Sequence, residues 1–171
     1  NLNNHIGVPF TLMRLPYSES SANASDEKNY AVVEAGASAV GEIRYLTSLI
    51  EPHVSLVNNV MPAHIEGFGS IEAIAQEKAE IYGDANSDSV PVINLDSQWA
   101  PFFFEKIQGR SWSGFSSQDG KAPLLSLEEA HRKTLRNFAF TRNIVKGRNG
   151  CMAFDLVLTT DSESESTVPV T

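Results

Sequence analysis

VNNVMPAHIEGFGSIEAIAQEKAEIY, Val57 to Tyr82, opens at the end of an apolar run and closes on a helical period. Val54, Leu56 and Val57 read as a buried-type strand, Val54 to Val57, and a polar loop follows it. Gly67 and Gly69 tighten the loop, and Ser70 is placed to cap a helix over Ile71 to Tyr82. A strand end that delivers polar residues into a crevice ahead of a helix is where open α/β sheets bind their ligands. The polar residues delivered here are Asn58, Asn59, His64 and Glu66, and Lys78 stands fourteen residues after the histidine. Lys78 falls on the apolar stripe of the helix with Ile71, Ile74 and Ala75, where a lysine commonly snorkels its ammonium to water. Glu77 and Glu80 read as solvent-facing charge beside it.

Two more apolar runs fit the same sheet. Tyr30 to Val33 reads as a short buried-type strand ending at Glu34, and Val90 to Asn94 as another, followed by Leu95 and Asp96. Glu34 precedes the glycine-containing turn AGASAVG, so its carboxylate is either a metal ligand or the cap of the next helix. That helix runs through Gly41 to Ile50, with Ile43, Leu46, Leu49 and Ile50 on one face, and Pro52 stops it. Asn94 and Asp96 can hold a ribose, a base edge or a metal, or Asp96 or Ser97 can start the helix through Trp99 to Lys106. Upstream, Asn3 and Asn4 precede GVPFTLMRL, where Pro9 suits a first helical turn; they are ligand contacts or simply turn and cap residues. The polar residues 16–29 read as a surface loop.

From Ile107 the character changes. Gln108 to Gly114 reads as a strand, Ser126 to His131 as a short helical piece with His131 on the surface, and Leu135 to Ile144 and Cys151 to Thr159 as an antiparallel pair. TVPVT at the end suggests one more strand. The expected fold is therefore α/β: a mostly parallel, Rossmann-like sheet flanked by helices, with a small antiparallel β region. Residues 1–106 form its core and residues 107–171 a β-rich remainder of the same domain.

Composition narrows the partners. A formal charge of −8 argues against a nucleic-acid binder, which needs clustered Lys and Arg. No apolar run approaches the roughly 18 to 20 residues of a membrane span, and no signal-peptide pattern opens the sequence. The single cysteine, Cys151, excludes an internal disulfide framework and fits a reducing compartment such as the cytoplasm.

Taken in order, NLNNHIGVPFTLMRL, VVEAGASAVGEI, LVNNVMPAHIEGFGSIEAIAQEKAEIY and VINLD resemble the central domain of the Mur ligases. The resemblance covers most of residues 1–105 and, more loosely, the remainder. It implies an ATP-dependent amide-forming ligase of peptidoglycan synthesis, which activates a carboxylate as an acyl phosphate for attack by an amine. The GFGS loop favours the branch that adds D-alanyl-D-alanine to UDP-N-acetylmuramoyl-tripeptide; a branch adding another amino acid, or glutamate to folate, is the alternative. By resemblance Glu34 is a ligand of the magnesium on the ATP phosphates. His64 is a ligand of a second magnesium, and Lys78 is carbamylated to help hold that ion. Asn3 and Asn4 lie near the phosphates or the substrate. Asn58, Asn59, Asn94 and Asp96 line the same cleft. Ser38 stands where the family has asparagine, which shortens that substrate or phosphate contact.

The chemistry suits these residue types. Phosphoryl transfer is mostly positioning and charge neutralisation by magnesium on oxygen ligands. A lysine becomes an anionic carbamate only through its neutral amine, which apolar neighbours favour.

The 171 residues contain no G-x-x-x-x-G-K-[ST] phosphate loop: Phe115 stands where the first glycine would precede Gly120-Lys121, and Ala122 follows. The chain is therefore expected to be a fragment of a ligase, inactive alone and prone to self-associate through open sheet edges. A non-catalytic binding or decayed module is the competing class. A hydrolase using His64 and Glu66 lacks a nucleophile elbow.

Overall fold

The computed structural model describes residues 2–15, 30–63, 65–83, 88–119, 123, 126–146, 152–160 and 165–170. One six-stranded sheet, in sequence order, organises them: β1 Val54–Val57, β2 Val90–Asn94, β3 Trp112–Asp119, β4 Leu135–Lys146, β5 Met152–Thr160 and β6 Glu165–Val170. β1 to β4 run parallel, β5 pairs antiparallel with β4, and β6 antiparallel with β5. The sheet thus passes without a break from the first 106 residues into the β-rich remainder, as the α/β pattern requires. Around it lie α1 Gly7–Met13, α2 Glu42–Ile50, α3 Ile65–Phe68, α4 Ile71–Ala79, α5 Ala100–Lys106 and α6 Glu129–Lys133.

The core sits where α4 and α5 meet one face of the parallel strands. Val57, Ile74, Ala75, Ala79, Tyr82, Ile93, Phe103 and Trp112 are buried together. Tyr82 ends the 3-10 turn Glu80–Tyr82 that prolongs α4. Its buried hydroxyl accepts from the Val57 amide and donates to the Val92 carbonyl, both at 3.3 Å, which ties α4 to β1 and β2. Burial drives the Tyr82 phenol far above its ordinary range, so it stays neutral. A second cluster, Phe138, Phe140 and Val157, lies on one face of the β4–β5 pair and packs against Leu95 and Leu135.

Four expectations fail. Tyr30 to Val33 is not a strand: no described strand pairs with it, and Val32 is 99 % exposed. A short extended run needs a neighbour to supply its ladder; among the described residues this stretch is tethered past its end, where the Gly36 amide donates to Asn3 O at 2.7 Å and Glu34 accepts from Asn3 Nδ2. β3 begins at Trp112 rather than Gln108, because Gly109 turns the chain with a φ of +78°. The Arg110 guanidinium then reaches across to the carbonyls of Tyr82 and Ser89. Glu77 is not solvent-facing but only 4 % exposed. His131, expected on the surface, is half-buried with its ring stacked on Phe104 at 4.3 Å. Cys151, residues 16–29 and His64 lie outside the described residues.

The two sheet edges differ in character. β6 carries Glu165 and Pro169, features that discourage further pairing. β1 carries neither, and it exposes Val54 at 61 % and Leu56 at 43 %.

Candidate active site

The C-terminal ends of β1 and β2 form the floor of the site. Asn58 and Asn59 follow β1, and Asn94 at the end of β2 joins them, its Nδ2 donating to Asn58 O at 2.8 Å. Asn94 Oδ1 in turn accepts from the Asp96 amide at 3.0 Å, so one side chain fixes both strand ends. Asp96 points toward the neighbouring strand: its carboxylate accepts from the Ser116 hydroxyl and from the Ser117 amide and hydroxyl, each at 2.6 Å. Burial pushes its carboxyl up, but the hydrogen bonds from Ser116, Ser117 and Gln118 outweigh that and hold it below its ordinary value.

α4 supplies the second wall. Ser70 caps it, accepting from the Ala73 amide at 3.1 Å, as the sequence led one to expect. The half-buried Lys78 reaches back to the floor, its Nζ donating to Asn59 O at 2.9 Å. Burial lowers its pKa, which favours the neutral amine.

The third wall is the segment from Glu34 to Glu42. Asn3 Nδ2 donates to Glu34 Oε1 at 2.8 Å, and Asn4 Oδ1 accepts from the amides of Ile6 and Gly7 at the start of α1. Asn4 is therefore a turn and cap residue that also borders the site. Glu42 Oε2 accepts from the Ser38 and Ala39 amides at 2.7 and 3.3 Å, and the Ser38 bond foremost holds the Glu42 carboxyl below its ordinary value. Gly67 in α3 packs so tightly here that a Cβ would lie 2.6 Å from the Ser38 carbonyl oxygen.

Between these walls lies a cavity of about 890 Å³ bordered by Asn3, Asn4, Glu34, Ser38, Asn58, Asn59 and Lys78. Seven residues chosen from the sequence thus meet in one place. Asn94 and Asp96 stand behind it, not on its surface. Ala63, immediately before His64, borders it as well. Among the described residues no three acidic, histidine or cysteine side chains cluster closely enough to hold a metal by themselves.

The family model of the Mur ligase middle domain matches residues 1–161. The chain belongs to the Mur ligase middle domain family. Within that family it is 37 % identical over 122 residues to the UDP-N-acetylmuramoyl-tripeptide–D-alanyl-D-alanine ligase of Haemophilus influenzae, covering 71 % of this chain and 25 % of the relative. It is 43 % identical over 97 residues to the enzyme of the same name from Escherichia coli, covering 57 % of this chain and 20 % of that one. A crystal structure of MurF from Acinetobacter baumannii superposes with a TM-score of 0.67 at 25 % identity, over 99 % of this chain and 31 % of that structure. The chain thus spans about a fifth to a third of the length of these relatives.

Three residues of this Mur ligase middle domain that border the cavity escaped the sequence reading: His5, Glu42 and Glu77. Glu42 carried a legible signal, an acid at a helix start after a glycine turn. Nothing local marks Glu77.

Proposed function

We propose that the chain is the middle-domain portion of a cytoplasmic, ATP-dependent ligase of peptidoglycan synthesis. Its reaction joins D-alanyl-D-alanine to UDP-N-acetylmuramoyl-tripeptide through an acyl phosphate. The observation that carries this reading is the single cavity on which Asn3, Glu34, Ser38, Asn58, Asn59 and Lys78 converge. The names of the Haemophilus influenzae and Escherichia coli relatives support the choice of substrates. Among the described residues no helix is long and apolar enough to cross a membrane.

The donor set fits magnesium, a hard cation that takes oxygen ligands. Glu34 offers a carboxylate already oriented by Asn3, and Lys78 has the burial and lowered pKa that a carbamate needs. Glu34 is assigned to the metal on the ATP phosphates; His64 and a carbamylated Lys78 are assigned to a second ion. Bound magnesium would neutralise phosphate charge as it develops. Asn3 and Asn4 orient the phosphate side, and Asn58, Asn59 and Ser38 the substrate side. Asn94 and Asp96 serve the cofactor side by fixing the strand ends beneath it.

Amine selectivity tests this reading. The longest natural polypeptide carrying this chain is to be incubated with ATP, magnesium and UDP-N-acetylmuramoyl-tripeptide, and with single amines in turn. ADP release is expected with D-alanyl-D-alanine and not with glutamate or other single amino acids. Release with glutamate and a folate acceptor would favour the folylpolyglutamate-type alternative, and no ADP with any amine would favour a non-catalytic module.

A further inference from the structure

Glu77 is a buried carboxylate whose two oxygens are both taken up by backbone amides. Its Oε2 accepts from the Gly41 amide and its Oε1 from the Ile43 amide, both at 2.8 Å. These amides belong to the cap and first turn of α2, which has no side-chain cap of its own; Gly41 sits there at φ +92°. Four amides at the start of a helix lack intrahelical partners, and their partial positive charge favours an anion. Here the anion comes from another helix, more than thirty residues along the chain. The next residue on α4 is Lys78, whose ammonium donates to the Asn59 carbonyl on the floor of the cavity. Neighbouring residues on one helix thus grip the third wall and the floor.

We propose that Glu77 is a positioning residue: by holding the Gly41 and Ile43 amides, it locks the wall that carries Glu34 and Ser38 against the helix that carries Lys78. The segment 34–41 is held by few other contacts among the described residues. It forms no strand, and its other anchors are Asn3, the close approach of Gly67 to the Ser38 carbonyl, and Glu42 within the same turn. Metal ligands on two walls bind one cluster of ions only if the walls keep their separation, so the residue that sets it controls affinity without touching the ligand. The inference rests on the assignment of magnesium to this cavity.

The test uses the 171-residue chain with Mn²⁺ alone as a paramagnetic stand-in, reading the broadening of the Gly36 and Ser38 amide resonances. Hydrogen exchange at Gly41 and Ile43 reports the grip itself. Glu77→Gln removes one acceptor, and Glu77→Asp keeps the charge but shortens the reach. Glu80→Gln, in the 3-10 turn that follows α4, controls for lost charge. In both Glu77 variants exchange at Gly41 and Ile43 should accelerate and Mn²⁺ affinity should fall about tenfold, with Glu80→Gln unchanged. Accelerated exchange with unaltered Mn²⁺ affinity overturns the proposal. So does a loss of affinity in Glu77→Gln that Glu77→Asp restores while its amides still exchange fast, since charge alone would then explain it. If the unsubstituted chain shows no Mn²⁺ effect at Gly36 and Ser38, the metal assignment itself fails, and this inference with it.

Discussion

The ammonium of Lys78 donates to the carbonyl of Asn59 at 2.9 Å, joining the helix after the first crossover to the strand end before it. Burial lowers the pKa of this lysine, so the folded chain binds fewer protons at this site than the unfolded chain over part of the alkaline range. Below the lowered folded value both states are protonated, and burial of the charge is a constant cost. Stability therefore rises as pH climbs from the folded pKa toward the unfolded value of about 10.4. Urea midpoints measured from neutral to alkaline pH should show this rise, and Lys78→Met should remove it.

Asp96 gives a signature of the same sign in the acid range. Its lowered pKa means that its contribution is fully present above the ordinary carboxylate value of about 3.9 and disappears as pH falls through the lower folded value. Asp96→Ala leaves the Ser116 and Ser117 donors without their acceptor and should cost about 1–3 kcal/mol at neutral pH. Chemical denaturation at neutral pH and at pH 3 should show the gap between variant and parent narrowing in acid.

Gly67 is the point where the loop after β1 touches the Glu34–Glu42 wall. A methyl group there meets the Ser38 carbonyl at 2.6 Å, and backbone cannot rotate aside as a side chain can. Gly67→Ala should destabilise the chain by about 1–3 kcal/mol, read as a lower Tm. It should also shift the Ser38 amide resonance, whereas Gly69→Ala, in open space, should strain only its own backbone.

The β1 edge predicts self-association. Val54 and Leu56 are exposed on a strand with no charge or proline to guard it. Sedimentation of the isolated chain should give a mass above 18.7 kDa that grows with concentration, and Leu56→Lys should return it to the monomer. A strict monomer at millimolar concentration contradicts this account of the edge. ATP hydrolysis by the isolated chain should be undetectable, because the 171 residues hold no phosphate loop.

The sequence made legible those features whose causes are local. Val54–Val57 and Val90–Asn94 are short apolar runs bounded by breakers, and Ser70 announces α4 three residues before the amide it accepts from. The Glu34, Asn58 and Lys78 motifs could be gathered because their family pattern is carried by residue identity and spacing. What failed was non-local. Tyr30 to Val33 has the composition of a strand, yet a strand also needs a neighbour, and no described strand pairs with it. Glu77 lies one turn before Glu80 in sequence; only the fold reveals that one caps α2 while the other meets Arg44 and Lys106 near the surface. Asp96 could equally have faced a ligand or its own sheet, and the two serines that settle its bonds lie twenty residues on.

The most direct test compares the rate of D-alanyl-D-alanine-dependent ADP formation in the longest natural polypeptide carrying this chain with that of its Lys78→Ala variant. If Lys78 serves the reacting groups of this cavity, kcat falls by at least about a hundredfold while the protein remains folded. A variant that keeps its kcat within about twofold of the parent contradicts the placement of the reaction here.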